Sequence, residues 1–226
     1  MRLAGRIVIA ALLASAPVAG AAAPTTDDLA RWTSINAAFP PPTVDEAAAA
    51  VAAAEADCPA AGATLGPIAP ATAWRRIDEA IRAGQLVNGW SVIVRRPACP
   101  PDRAEARYVL LRDSAGALSA QWLHDGRSYI DLDSLVDTAL PRALRTVAMA
   151  ASRDIPGCAP NPVTLVRTEV VDEAGLGEAR FGLRGGAWRE QWLFAACGRT
   201  LSLFVDIEGR ADGAKVTVAP WASLRR

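Results

Sequence analysis

Four cysteines, at positions 58, 99, 158 and 197, constrain this chain more than any other feature. Cys58 and Cys158 stand 100 residues apart, and Cys99 and Cys197 stand 98 apart. Near-equal offsets are what a duplicated unit leaves behind. Aligned on the later pair, NGWSVIVRRPAC (88–99) and GAWREQWLFAAC (186–197) both place a tryptophan, Trp90 or Trp188, nine residues before the cysteine. Each half then continues as alternating strand, turn and strand, RYVLLRDSAGALSAQW (107–122) against TLSLFVDIEGRADGAKVTV (200–218), and each has a helical stretch before its first cysteine.

The N-terminus bears on the redox compartment. Arg2 and Arg6 precede an apolar run from Ile7 to Ala16, and Ala21, Ala22 and Ala23 supply small residues for cleavage. Residues 1–23 therefore read as a signal peptide, too short and wrongly flanked for a membrane span. The mature protein is expected in the periplasm or secreted, where cysteines form disulfides. Four cysteines allow three pairings, and spacing alone does not choose between them. If the halves are equivalent, the economical choice is Cys58 with Cys99 and Cys158 with Cys197. Each bridge closes a loop of roughly 40 residues, for about 3–4 kcal/mol of chain-entropy stabilisation.

Metal, redox and polyanion chemistry find little support. No two cysteines have the close spacing of a structural zinc site or a redox pair, and His124 is the single histidine. Losing residues 1–23 removes two arginines and no acid, leaving 22 basic against 24 acidic residues. That balance lacks the basic excess a nucleic-acid or anionic-membrane partner requires. No catalytic residue, cofactor or metal ligand is assigned.

Periodicity and turn chemistry predict an α+β fold of two related helix-plus-antiparallel-sheet units. An N-terminal helix over 26–38, capped by Thr25 or Thr26, is followed by the Pro40–Pro42 connector (24–42 together). The first unit spans 43–131. It opens with the capping box Thr43-Val44-Asp45-Glu46 and an alanine-rich helix to Asp57, then a loop over 58–72 and a short helix capped by Thr72 with an outward Asp78–Arg82 pair. Strands are expected at 89–96, 106–113, 117–123 and 127–131, with Asp113–Gly116 and Asp125-Gly126 as hairpin turns. The second unit spans 132–220, with a helix interrupted at Pro141 and strands at 163–171, 178–184, 187–195, 200–207 and 213–218. Turns are expected at Glu173–Gly175 and Arg184–Gly186, and 221–226 forms a tail. Tandem units of this kind, each with its own bridge, are similar in layout to secreted β-lactamase inhibitor proteins. That likeness, which no shared motif carries, implies protein binding.

Candidate functional residues sort by face. Trp188, Glu190 and Trp192 share one side of a strand, with Phe194 beyond them, and could form an aromatic platform for a sugar or a packed core. Glu190 is the misfit, because a carboxylate on an apolar face needs an edge position or a partner such as arginine. Trp90, Val92 and Val94 form the matching row in the first half, with Ser91, Ile93 and Arg95 opposite. His124 is expected beside the Asp125-Gly126 turn and exposed. Asp131 and Asp133 share a strand face and read as a helix N-terminus rather than as an acid–base pair. Ser114, Ser119 and Ser128 have no nucleophile-elbow sequence around them. The function expected is that of an exported, non-enzymatic binding or accessory protein of the bacterial cell envelope, with a protein-binding inhibitor-like module as one form of it and an unknown protein or glycan as partner. The alternative is a carbohydrate-binding protein or glycan hydrolase using the Trp188/Glu190/Trp192 face.

Overall fold

The computed structural model describes residues 23–54, 62–158 and 163–218. Helix α1 (Thr26–Ala38) begins in a capping box: Thr25 Oγ1 accepts from the Asp28 amide, and the Asp28 carboxylate accepts from the Thr25 amide. Helix α2 (Val44–Ala54) has the predicted box between Thr43 and Glu46, and its Ala47, Ala50 and Val51 are buried. Beyond Ala54 the predicted extension of this helix lies outside the described residues, as does Cys58. No helix among the described residues is long and apolar enough to cross a membrane.

The first antiparallel sheet holds β1 (Thr64–Leu65) and β2 (Ala69–Pro70), both paired to β3 (Leu86–Arg95), followed by β4 (Glu105–Asp113) and β5 (Leu118–Asp125). The predicted loop over 58–72 therefore contributes an edge to this sheet. One face carries Trp90, Val92, Val94, Ala106, Tyr108 and Leu110 and packs on α2. On the other face, helix α3 (Arg75–Arg82) and the residues before it set Ala71, Trp74 and Ile77 against Val109 and Leu111.

Two details of α3 differ from expectation. Thr72 does not cap it; its hydroxyl joins a buried amide network, donating to Asn88 Oδ1 at 2.8 Å and accepting from Asn36 Nδ2 at 2.9 Å. Asp78 points inward, because it accepts from Trp32 Nε1 at 2.7 Å while also pairing with Arg82. The first ties α1 to β3 of the sheet, and the second ties it to α3.

Asp113–Gly116 forms the predicted turn, with Asp113 Oδ1 accepting from the Ala115 and Ala117 amides. Asp125-Gly126 does not. Gly126 makes a single parallel bridge to Thr168, and 127–131 is a linker rather than a strand. A Cβ on Gly126, which has φ +85°, would lie 1.9 Å from the Thr168 carbonyl oxygen, so the glycine serves a junction between sheets.

Asp131 caps α4 (Leu132–Ser134) through the Ser134 amide at 2.8 Å. A π-helical turn (Leu135–Ala139) leads to α5 (Leu140–Asp154), with Pro141 in its first turn, where the missing N–H is harmless. The interruption predicted at Pro141 is this change of helix type.

The second sheet is an antiparallel meander in the order β6 (Thr164–Arg180), β7 (Leu183–Ala196), β8 (Arg199–Arg210) and β9 (Gly213–Val218). The two strands predicted at 163–171 and 178–184 are chiefly one long strand. Register shifts absorb Glu173–Gly175, and Arg184–Gly186 lies inside β7. The turn itself is Phe181-Gly182, with φ +53° and +99°, the two-residue hairpin geometry that matches strand twist. Cys197-Gly198 is a second turn of this kind, and Cys197 is bridged to Cys158 just beyond α5. Trp188, Trp192, Phe194, Leu203, Val205 and Ile207 pack on Leu135, Ala139, Ala143, Val147 and Ala151. Since His124 beside Arg107 meets Thr168 beside Trp192, the cores on α2 and α5 lie on opposite faces of the joined sheets.

Candidate functional site

The joint between the sheets is built around the linker 127–131. Glu190, fully buried on β7, accepts from Trp188 Nε1 and Trp192 Nε1, each at 2.8 Å, from Ser128 Oγ at 2.9 Å and from the Tyr129 amide at 3.1 Å. From the first sheet, Arg107 on β4 donates Nε to Ser91 Oγ at 3.0 Å and Nη1 to the Ile130 carbonyl, while its guanidinium lies 5.1 Å from the Trp74 ring centre. The linker is thus gripped by an acid from one sheet and a base from the other.

Trp188, Glu190 and Trp192 are brought together as predicted, but beneath α5. Trp188 is 4% exposed, and Glu190 and Trp192 are 0% exposed. The edge or salt-bridged position expected for Glu190 is not what the structure shows. Its partners are neutral donors, two of them indole N–H groups two residues away on the same strand face. Burial raises the Glu190 pKa, and the donors from Trp188, Trp192, Tyr129 and Ser128 pull against that shift.

His124 is a correction: it is 3% exposed, not a surface turn residue, because the chain after Asp125 continues into the joint instead of reversing. Its Nδ1 lies 3.3 Å from Thr168 Oγ1, and Nε2 is buried with no hydrogen-bond partner among the described residues. Burial, and then the Arg107 charge, hold its pKa down at about 3. A neutral ring without solvent access cannot exchange protons with a substrate. Ser128 is spent on Glu190, Asp131 on its helix cap, and Asp133 on Arg76 at 2.6 Å. Among the described residues no group of three or more His, Cys, Asp or Glu side chains is placed to hold a metal ion.

What does open to solvent is a cleft of about 520 Å³ beside this joint. Its floor is the face of the first sheet that carries Ser91, Ile93, Arg95 and Arg107; one wall is the β1–β2 edge, and the other is Tyr129 with the β6–β7 tip at Gly182 and Arg184. The tip is seated firmly: Trp74 Nε1 donates to the Gly182 carbonyl at 2.9 Å, and the Ala73 amide donates to the Phe181 carbonyl at 2.9 Å. Arg95, Arg107, Arg127 and Arg184 all line the cleft, and among the described residues no carboxylate does.

Arg95 and Arg127 share one acid, Glu105, at 3.0 and 3.3 Å. Arg184 lies 4.6 Å over the Tyr129 ring and donates Nη1 to the Gly177 carbonyl, with no carboxylate at ion-pair distance among the described residues. Ser91, Ile93 and Arg95 were recognised from sequence as the face opposite the Trp90 row, but Arg107 and Arg184 were not singled out. The signal for Arg107 was available, since it sits in phase with Val109 and Leu111 on an inward strand face, where an arginine is costly unless it is bonded. Comparison with protein-family models, with curated proteins and with solved structures finds no match for this chain.

Proposed function

We propose that this chain is an exported, non-enzymatic binding or accessory protein of the bacterial envelope, and that its ligand surface is the cleft between the sheets. The observation that carries this reading is the lining: four arginines, Trp74 and Tyr129 around about 520 Å³, with no carboxylate among the described lining residues. Clefts of this size with a few convergent polar groups are the usual form of a ligand site. The polar side chains that could start chemistry, Glu190, His124, Ser128 and Asp131, are each buried and committed to the joint or to a cap. A ligand on the Trp188/Glu190/Trp192 face would have to displace α5, so the cleft takes that role.

The proposal includes a cleaved signal peptide over 1–23, two related units over 43–131 and 132–220, and a second bridge between Cys58 and Cys99. Kinship of the halves is supported by their common order of helix, edge and three-stranded meander. Non-reducing peptide mapping tests the bridge; a Cys58 to Cys158 link would end the two-unit reading.

The cleft is tested by affinity capture from envelope extract with the mature protein and with Ile93→Trp, which fills the half-buried cleft floor. A discrete partner retained by the first and lost by the second is the expected result. No retained partner, or equal retention by both proteins, overturns the reading.

A further inference from the structure

We infer that the cleft recognises an extended acidic segment of a partner protein, whose carboxylates engage the free guanidinium edges of Arg107 and Arg184. The inference deepens the cleft reading above and rests on it. Arg107 is only 5% exposed, yet its bonds within the protein use Nε and Nη1, to Ser91 and Ile130, and Nη2 has no partner among the described residues. This nitrogen is also not among the polar atoms sealed from solvent without a partner, and the residue lines the cleft, so the cleft is where it meets solvent. A buried arginine held by two bonds and a Trp74 contact, with Nη2 and its two N–H groups left over, is preorganised for an anion.

Arg184 repeats the arrangement from the opposite wall. Its guanidinium rests on Tyr129 and is steadied by one carbonyl, leaving donors for a ligand. A planar guanidinium supported on a ring presents its edge, the geometry that pairs with a carboxylate through two parallel hydrogen bonds. At the rim Arg95 and Arg127 divide Glu105 between them, with Glu173 on the Tyr129 hydroxyl as a second nearby acid, so the positive excess lies with Arg107 and Arg184, which have no carboxylate at ion-pair distance among the described residues. The local charge therefore calls for an anion.

Two observations select a peptide. The chain as a whole carries 24 basic and 24 acidic residues, so it lacks the broad field that draws in long polyanions, while a short acidic segment needs only the local excess. The cleft wall formed by Thr64 and Leu65 belongs to β1, whose only strand partner among the described residues is β3, so its outer edge is unpaired, whereas Pro70 of β2 has no N–H and its carbonyl lies against Gly182 of the tip. An extended peptide adds main-chain hydrogen bonds to such an edge and directs alternate side chains to one face.

The test is titration of the mature full chain with an acetylated hexaglutamate peptide, followed by calorimetry and by tryptophan fluorescence, in which Trp74 reports on the cleft. Hexaglutamine of the same length and an oligogalacturonate of similar charge are the comparison probes. Hexaglutamate should bind with an affinity that falls as salt rises, and hexaglutamine should bind at least about ten-fold more weakly. Arg184→Gln should weaken hexaglutamate binding by about ten-fold. Arg184→Lys, which keeps the charge but loses the flat stack, should give a smaller loss and carries the test if the glutamine variant does not fold. Absence of hexaglutamate binding, or equal binding of hexaglutamine, overturns the acidic specificity, while capture of a partner blocked by Ile93→Trp would still stand. Tighter binding of the oligogalacturonate overturns the choice of a peptide. Hexaglutamate binding unaffected by both Arg184 variants places the site elsewhere and overturns the assignment.

Discussion

Replacing Glu190 with alanine removes the acceptor through which β7 holds the linker. Four donors lose their partner: the indoles of Trp188 and Trp192, the Ser128 hydroxyl and the Tyr129 amide. A buried donor left without an acceptor costs on the order of 1–3 kcal/mol. Water entering the vacated volume recovers part of this, so the net loss should be about 4 kcal/mol at neutral pH. Glu190→Gln keeps one oxygen but turns an NH₂ toward an indole that already donates, and should cost about 2 kcal/mol. The pH dependence has a definite sign. Because the folded-state pKa of Glu190 is raised, its contribution is complete below the ordinary carboxyl range and declines as pH rises through the folded value. The advantage of wild type over Glu190→Gln should therefore narrow with rising pH. Urea unfolding followed by far-UV circular dichroism measures both effects, and amide exchange at Tyr129 reports whether the linker loosens. A loss below about 1 kcal/mol for Glu190→Ala, or an advantage that widens with pH, would refute the reasoning.

Three further outcomes are expected. His124 has its folded pKa held at about 3 against an ordinary 6.5, so its stabilising contribution is full above 6.5 and falls as pH drops toward 3. Between pH 7.5 and 5 that amounts to about 2 kcal/mol, by which His124→Asn should flatten the unfolding profile; Glu190 and Asp133, which titrate in the opposite sense, are common to both proteins and cancel in the difference. Gly126→Ala places a methyl against the Thr168 backbone at positive φ and should cost at least about 2 kcal/mol, measured as a lowered urea midpoint with unchanged slope. Replacing Cys158 and Cys197 together by serine opens a loop of 39 residues' separation and should cost about 4 kcal/mol in the same assay, without abolishing binding at the cleft.

Local chemistry was legible where neighbours in sequence decide the outcome. The cap at Thr25, one of the two threonines the sequence offers, the box at Thr43–Glu46, the Asp113–Gly116 turn and the Asp131 cap depend on residues within four positions of one another, and the structure contains each. Failures came where a distant backbone intervenes. Asp125-Gly126 has the composition of a hairpin turn, yet Thr168, far along the chain, occupies the space that reversal would need. His124 became buried as a consequence. In β6, Glu173–Gly175 reads as a turn, whereas in the sheet Gly175 and Gly177 allow β7 to approach closely along a bulged strand.

Glu190 was half legible. Its misfit on an apolar face is plain from the sequence, and Trp188 and Trp192, two residues to either side, are donors on that face, whereas the sequence reading expects an edge position or a charged partner such as arginine. The cleft was the least legible feature. Its arginines come from β3, β4, the linker and β7, and only the docking of the β6–β7 tip on Ala71–Trp74 brings them around one space. Alternation assigns a residue to a face; it does not say which distant hairpin will close over that face.

The most direct measurement is hydrogen–deuterium exchange of the mature protein with and without the hexaglutamate peptide. Slowed exchange confined to the cleft, in 64–70, 91–95, 127–129 and 182–184, is the predicted result. Slowed exchange on the outward face of β6–β8, around Val171, Arg189 and Gln191, with the cleft unchanged, would contradict the account.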